Sequence, residues 1–205
     1  MTPDDVRDAS RWLAEAIRSR PDADLSVPAG PVDWSCRQTL DHVLDDLLAY
    51  ALQLGGAGTA WAQRDYLPLV AADGGFDVMR VDPGVGVDGI ADTLVAAGAV
   101  MAAAVAVAPP TARARHPRGL ADAAGWAAMA VIETVVHGWD VLNGLDGAPP
   151  ALPENLAAGV LARLFPDVAP PAPGEAGATL VWATGRGELP GQARRTSWNW
   201  DANVR

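Results

Sequence analysis

Apolar residues recur at helical spacing through most of the first 165 positions. In the opening segment Val6, Trp12, Leu13, Ala16 and Ile17 share one helical face. Thr2 can cap that helix, Pro3 suits its first turn, Asp4 and Asp5 favour its positive end, and Pro21 marks its limit. A second helix opens at Trp34-Ser35-Cys36-Arg37-Gln38, where Ser35 and Gln38 form a capping box. Its apolar stripe is Leu40, Val43, Leu44, Leu47 and Ala51, and it stops at Gly55-Gly56. A third helix is predicted from Asp88 to Val107, ended by Pro109-Pro110, and a fourth from near Asp122 to Gly144. Pro153 and Glu154 start a shorter one that runs to Phe165. Between the second and third helices, YLPLVAA and FDVMRV flank Asp73-Gly74-Gly75 and suggest a short irregular hairpin; ARARHPRGL reads as a loop. Residues 166–177 are a proline-rich linker. ATLVWAT and ARRTSWNW then alternate as two strands around GRGELPG, which predicts a β-hairpin over 178–200. The expected fold is mainly α: a four-helix bundle in residues 1–165, with residues 166–205 forming the linker and a short C-terminal β-hairpin packed on the bundle.

Composition narrows the function. The 205 residues are half apolar, enough for one core without disulfide or metal staples. Fifteen arginines and no lysine face 25 carboxylates, and the net charge of -10 argues against a general nucleic-acid binder. A single cysteine, Cys36, excludes an internal disulfide framework and a cysteine-only zinc site; in the first turn of a helix, with no adjacent histidine, it is not expected to be a nucleophile. The start lacks the basic and apolar regions of a signal peptide. The longest apolar run, Ile90 to Pro110, is rich in alanine and interrupted by Asp92, so it reads as a buried helix rather than a membrane span. A soluble, cytoplasmic chain with no membrane partner is expected.

The fourth helix carries the most chemical information. Across WAAMAVIETVVH only Glu133 and His137 are ionisable, and a spacing of four places them on one face. A glutamate in such an apolar helix must be neutralised or paired. A metal shared with the histidine is one solution, because carboxylate oxygen and imidazole nitrogen are both zinc ligands; a direct Glu–His hydrogen bond is the plainer one. Of the other two histidines, His116 lies between Arg115 and Pro117 in the arginine-rich loop and reads as a loop residue near a site mouth. His42 is held mid-helix, but the helical wheel puts it opposite the leucine stripe, with Asp45, Asp46 and Ala49. Periodicity therefore leaves two readings open: a solvated histidine, or one facing a second groove.

Two motifs together resemble a family. Trp34-Ser35-x-x-x-Thr39-Leu40-x-His42 is similar to the helix entry of the DinB-like bundles. Glu133-x-x-x-His137-x-Trp139-Asp140 resembles the corresponding segment in their mycothiol-dependent maleylpyruvate isomerase branch. The order of the motifs also agrees. The resemblance covers roughly residues 5–165, and the ending LVWATGR…TSWNWD is similar to tails of actinobacterial members.

The resemblance implies a divalent metal, usually zinc, held by His42, Glu133 and His137. An open coordination position would then serve mycothiol or another low-molecular-weight thiol, or water. It implies a thiol-dependent transferase or isomerase, in which a metal-activated thiolate attacks an electrophilic small molecule. The alternatives are a non-catalytic metal- or ligand-binding bundle and a hydrolase that uses a zinc-activated water. The isomerase carries a substantial C-terminal domain, whereas only about 40 residues follow Phe165 here, so the substrate pocket must differ. Asp140, one turn beyond His137, is placed either to orient that imidazole from outside the metal shell or to lie on the helix surface. Arg186, Arg194 and Arg195, in or beside the predicted terminal turn, either bind a substrate carboxylate or balance surface charge. The tryptophan face of the tail must pack on its own bundle or on a second subunit, which leaves a homodimer open; its own bundle is the plainer choice.

Overall fold

The structure is a computed structural model describing residues 1–71, 75, 77–148 and 150–204. The chain is mainly α. Its elements are α1 (Pro3–Arg18), α2 (Cys36–Gly55), α3 (Val87–Val107), β1 (Ala114–His116), β2 (Gly119–Ala121), α4 (Ala123–Asp146), α5 (Glu154–Leu164) and α6 (Ala176–Ala183). The first two helices start where their local signals place them. Thr2 and Asp5 cap α1 reciprocally, as Ser35 and Gln38 cap α2. Asp122 caps α4 by accepting the Gly125 N–H at 2.8 Å.

The long helices pack side by side, α1 against α3 and α4, and α2 against the same two. Leu13, Ile17, Leu40, Leu47, Leu94, Met101, Trp126 and Ile132 fill the space between them and are almost fully buried. Two glycines allow close approach to α1. A Cβ at Gly98 of α3 would lie 2.0 Å from Ser10 Oγ, and one at Gly138 of α4 would lie 2.7 Å from the Trp12 ring. Among the described residues, α3 alone is long and apolar enough to cross a membrane; here Ile90, Leu94, Ala97 and Met101 are buried, and the helix packs on α1 and α2.

Three segments depart from the sequence-based expectations. First, ATLVWAT is not a strand but most of α6, and residues 178–200 do not form a β-hairpin; only an isolated bridge joins Leu189 and Gln192. The cause is a contact distant in sequence. The Glu154 carboxylate, at the start of α5, accepts the backbone N–H groups of Gly174 (2.9 Å), Ala176 (3.1 Å) and Gly177 (3.3 Å). That satisfies amides which an incipient helix leaves orphaned. Ala176, Leu180 and Ala183, all fully buried, then share a helical face, and α6 packs on α5. The tail still packs back on the helices. Trp198 lies 6.5 Å from Phe165, ring to ring, and the N–H groups of Asp201, Ala202 and Val204 donate to Leu164, Arg118 and Leu120 carbonyls.

Second, the segment read as a loop, ARARHPRGL, contains the only sheet among the described residues, with β1 antiparallel to β2 and His116 opposite Gly119. Alternation buries Ala114 and His116 and exposes Arg115. Third, the hairpin expected around Asp73-Gly74-Gly75 has Asp73 and Gly74 outside the described residues, and the described flanks form no strand. Residues 77–85 instead lie along the polar face of α2. Asp45 accepts the Met79 N–H at 2.7 Å, Asp41 accepts the Val81 N–H at 3.1 Å, and Arg37 donates to the Val81, Asp82 and Val85 carbonyls. This segment converts the face that carries His42 from a surface into an interior.

Candidate metal centre

His42 of α2 and Glu133 and His137 of α4 meet between their helices. One donor atom from each lies within 4.8 Å of the other two. His42 is 7% exposed, so it belongs to the interior and not to a solvated helix face. Its ring stands 5.3 Å from that of His137 and 4.8 Å from Trp34, centroid to centroid.

Each histidine carries a carboxylate on its outer nitrogen. His137 Nδ1 donates to Asp140 Oδ2 at 3.0 Å, and His42 Nδ1 donates to Asp77 Oδ1 at 3.0 Å. An ionised carboxylate only accepts, so both rings hold a proton at Nδ1 and Nε2 is left as the nitrogen able to coordinate. Both Nε2 atoms face carboxylates across one helical turn: His137 is 3.3 Å from Glu133 Oε2, and His42 is 3.3 Å from Asp46 Oδ2. Two ligands on a tetrahedral ion with bonds of ~2.0–2.1 Å stand about 3.3–3.4 Å apart. The His137–Glu133 pair has that spacing, and the three donors, within 4.8 Å of one another, would draw in further around a divalent cation.

The electrostatics point the same way. Burial raises the Asp46 carboxyl well above its ordinary range, and the charges of Glu133, Asp45 and Asp77 add to the rise. Burial also works against ionised Glu133, but hydrogen bonding and charge from His137, with His42 beyond, hold it below the usual range. His137 is pushed up to about 9: desolvation opposes its charge, and Asp140 and Glu133 outweigh that. The Tyr50 hydroxyl, raised mainly by burial, donates to Glu133 Oε1 at 3.3 Å. Asp46, Asp77 and Glu133 thus crowd around two imidazoles, an arrangement that a cation relieves.

Asp140 has no exposed side-chain surface and is gripped by Arg186, whose Nε and Nη2 each donate at 2.7 Å. Arg186 comes from the coil after α6, so the C-terminal segment reaches the support of His137. That contact commits Arg186 to a protein carboxylate instead of a substrate. The other two arginines considered for substrate are engaged as well: Arg194 donates to the Gly185 carbonyl, and Arg195 pairs with Asp167 at 2.6 Å and covers the Trp182 ring. His116 is not a loop residue at a mouth. It is buried in β1 among Tyr50, Tyr66, Trp126 and Trp200, and burial lowers it to about 4 although the Glu133 charge pulls the other way. Cys36 is buried too, with its thiol pushed up to about 11 by desolvation, and its Sγ lies 3.6 Å from the Val141 carbonyl.

Asp46, Asp77 and Tyr50 join the site without having been singled out in the sequence. Asp46 had a signal, since His42-x-x-x-Asp46 repeats in reverse the Glu133-x-x-x-His137 spacing. Two recesses are lined by residues that touch the cluster, although His42, Glu133 and His137 themselves line neither. One, of about 290 Å³, is polar and lined by Trp34, Gln38, Asp41, Asp77 and Arg80. The other, of about 220 Å³, has Asp46 and Tyr50 in its lining and mostly apolar walls. Comparison of the chain with protein-family models, with curated proteins and with solved structures gives no match.

Proposed function

We propose that α1, α2, α3 and α4 are a DinB-like four-helix bundle whose His42, Glu133 and His137 hold one divalent cation, zinc by preference. On this reading the protein is a cytoplasmic, thiol-dependent transferase or isomerase of the mycothiol-dependent maleylpyruvate isomerase kind. The observation that carries it is the paired arrangement of the two histidines, each held at Nδ1 by a carboxylate, with a donor atom of each and of Glu133 within 4.8 Å of one another. Three protein donors suit a catalytic site more than a closed structural one. The cation supplies the charge that lets a thiol, mycothiol or a similar small one, lose its proton near neutral pH.

The chain's own residues do the rest. Asp77 and Asp140 set the tautomers, Arg186 anchors Asp140, and Tyr50 orients Glu133 by its hydroxyl. Asp46, held beside His42 Nε2, is the carboxyl placed to exchange a proton with an entering nucleophile. Two recesses flanked by Asp77 and Asp46, the carboxylates beside His42, suit a reaction of two small molecules, a thiol and an electrophile. The same Asp46 favours one second reading, hydrolysis in which it serves as base toward a water.

Calorimetric titration of the zinc-loaded protein with a small thiol, in buffers of different ionisation enthalpy, separates the two readings. Thiol-dependent chemistry predicts binding that releases a proton and tightens as pH rises. Absence of thiol binding, together with ester hydrolysis that is lost in Asp46→Asn, would establish the second reading instead.

A further inference from the structure

The apolar recess says which kind of electrophile the site takes. Its lining includes Asp46 and Tyr50, which touch His42 and Glu133 respectively, so a single layer of side chains separates it from the candidate ligands. Leu52 and Ala49 of α2 form one wall, and Leu67, Val78 and Met79 of the facing segment form the other. No described residue lining it is a cation, and Asp45 stands beside Asp46. The late arginines do not line it: Arg186 is bound by Asp140, Arg195 by Asp167, and the exposed Arg194 donates to the Gly185 carbonyl. A volume of about 220 Å³ is below the ~300–1,000 Å³ typical of sites for drug-sized ligands.

We propose that this recess binds the body of the electrophilic substrate, a small, predominantly apolar molecule that is neutral or cationic there and carries no carboxylate. A carboxylate in this mostly apolar groove would lose its hydration with no lining cation to pair with it. The inference rests on the metal-centre reading above, since it assumes that the reacting end of the molecule lies at His42, Glu133 and His137.

The test uses the intact zinc-loaded chain and three benzohydroxamates substituted at the para position with methyl, aminomethyl or carboxylate. The chelating head is common to all three, so differences in affinity report on the tail. The methyl and aminomethyl compounds should bind about tenfold or more tighter than the carboxylate, a factor equivalent to ~1.4 kcal/mol. Leu52→Arg places a cation on the groove wall at a half-exposed helical position, where folding tolerates it. It should recover about tenfold for the carboxylate compound and leave the methyl compound within about twofold, ratios set by a single charge contact. Equal binding of all three tails, or no recovery in Leu52→Arg, would overturn the inference while leaving the metal centre intact. Binding of none of the three would overturn the metal-centre reading and this inference with it.

Discussion

Arg186→Met isolates the link between the C-terminal segment and the candidate metal centre. Asp140 is fully buried and, besides His137, is held by Arg186, whose Nε and Nη2 donate to its two carboxylate oxygens at 2.7 Å each. Methionine keeps most of the side-chain volume but takes the arginine counter-charge and both of its hydrogen bonds from a buried carboxylate. Breaking a buried pair in this way costs about 3–5 kcal/mol. For a chain of this length each kcal/mol moves the unfolding midpoint by roughly 2–4 °C, so Tm should fall by about 6–20 °C. The double variant Asp140→Asn with Arg186→Met removes both charges and should regain most of that loss, because the penalty comes from the unpaired charge and not from the missing contact. Asp140 also fixes the His137 ring, so Arg186→Met should weaken zinc affinity by about 10- to 100-fold. Thermal unfolding followed by circular dichroism gives the first quantity, and competition with a chromophoric zinc chelator gives the second. An Arg186→Met protein within about 1 kcal/mol of the parent, with unchanged zinc affinity, would refute the coupling.

In the metal-free protein His137, raised to about 9 in the fold against 6.5 unfolded, holds its proton more tightly when folded. Stability should therefore be full below pH 6.5 and fall by about 3 kcal/mol as pH rises through 9, and His137→Gln should flatten that slope in urea titrations. His116, lowered to about 4, gives the opposite limb: the unfolded chain binds the extra proton between pH 4 and 6.5, so stability falls as pH drops through that window, and His116→Phe should remove the decline. Cys36 should resist iodoacetamide at pH 8 in the folded protein and react once the chain is unfolded, as mass spectrometry would record; rapid alkylation of the native protein would contradict its burial. Removing the residues after Phe165 should weaken zinc binding, because Arg186 is lost with them, although the sequence suggested no such dependence.

What the sequence revealed was local. The caps at Thr2 and Ser35 act within three residues, and α1 and α2 start beside them. Glu133 and His137 stood out because nothing else on their stretch of α4 ionises. The uncertainty over His42 had a physical source: a helical wheel reports a helix's own faces, not what returns to cover them. The wheel grouped His42 with Asp45, Asp46 and Ala49 on a face open to a solvated reading, yet Arg37, Asp41 and Asp45 bond the backbone of residues 79–85 and bury the histidine. Asp77 arrives on that same returning segment, at no fixed spacing from His42. The terminal strand failed for a similar reason. Leu180, Val181 and Trp182 suit a strand locally, but Glu154 from α5 caps a helix there.

Metal content tests the central claim most directly. Protein purified without chelators and measured by elemental analysis should hold about one divalent ion per chain, as expected for a single three-donor site. His42→Ala and His137→Ala should each lose it while keeping their helical circular dichroism. A folded parent protein with no bound metal after zinc dialysis, or unchanged metal content in His137→Ala, would contradict the account.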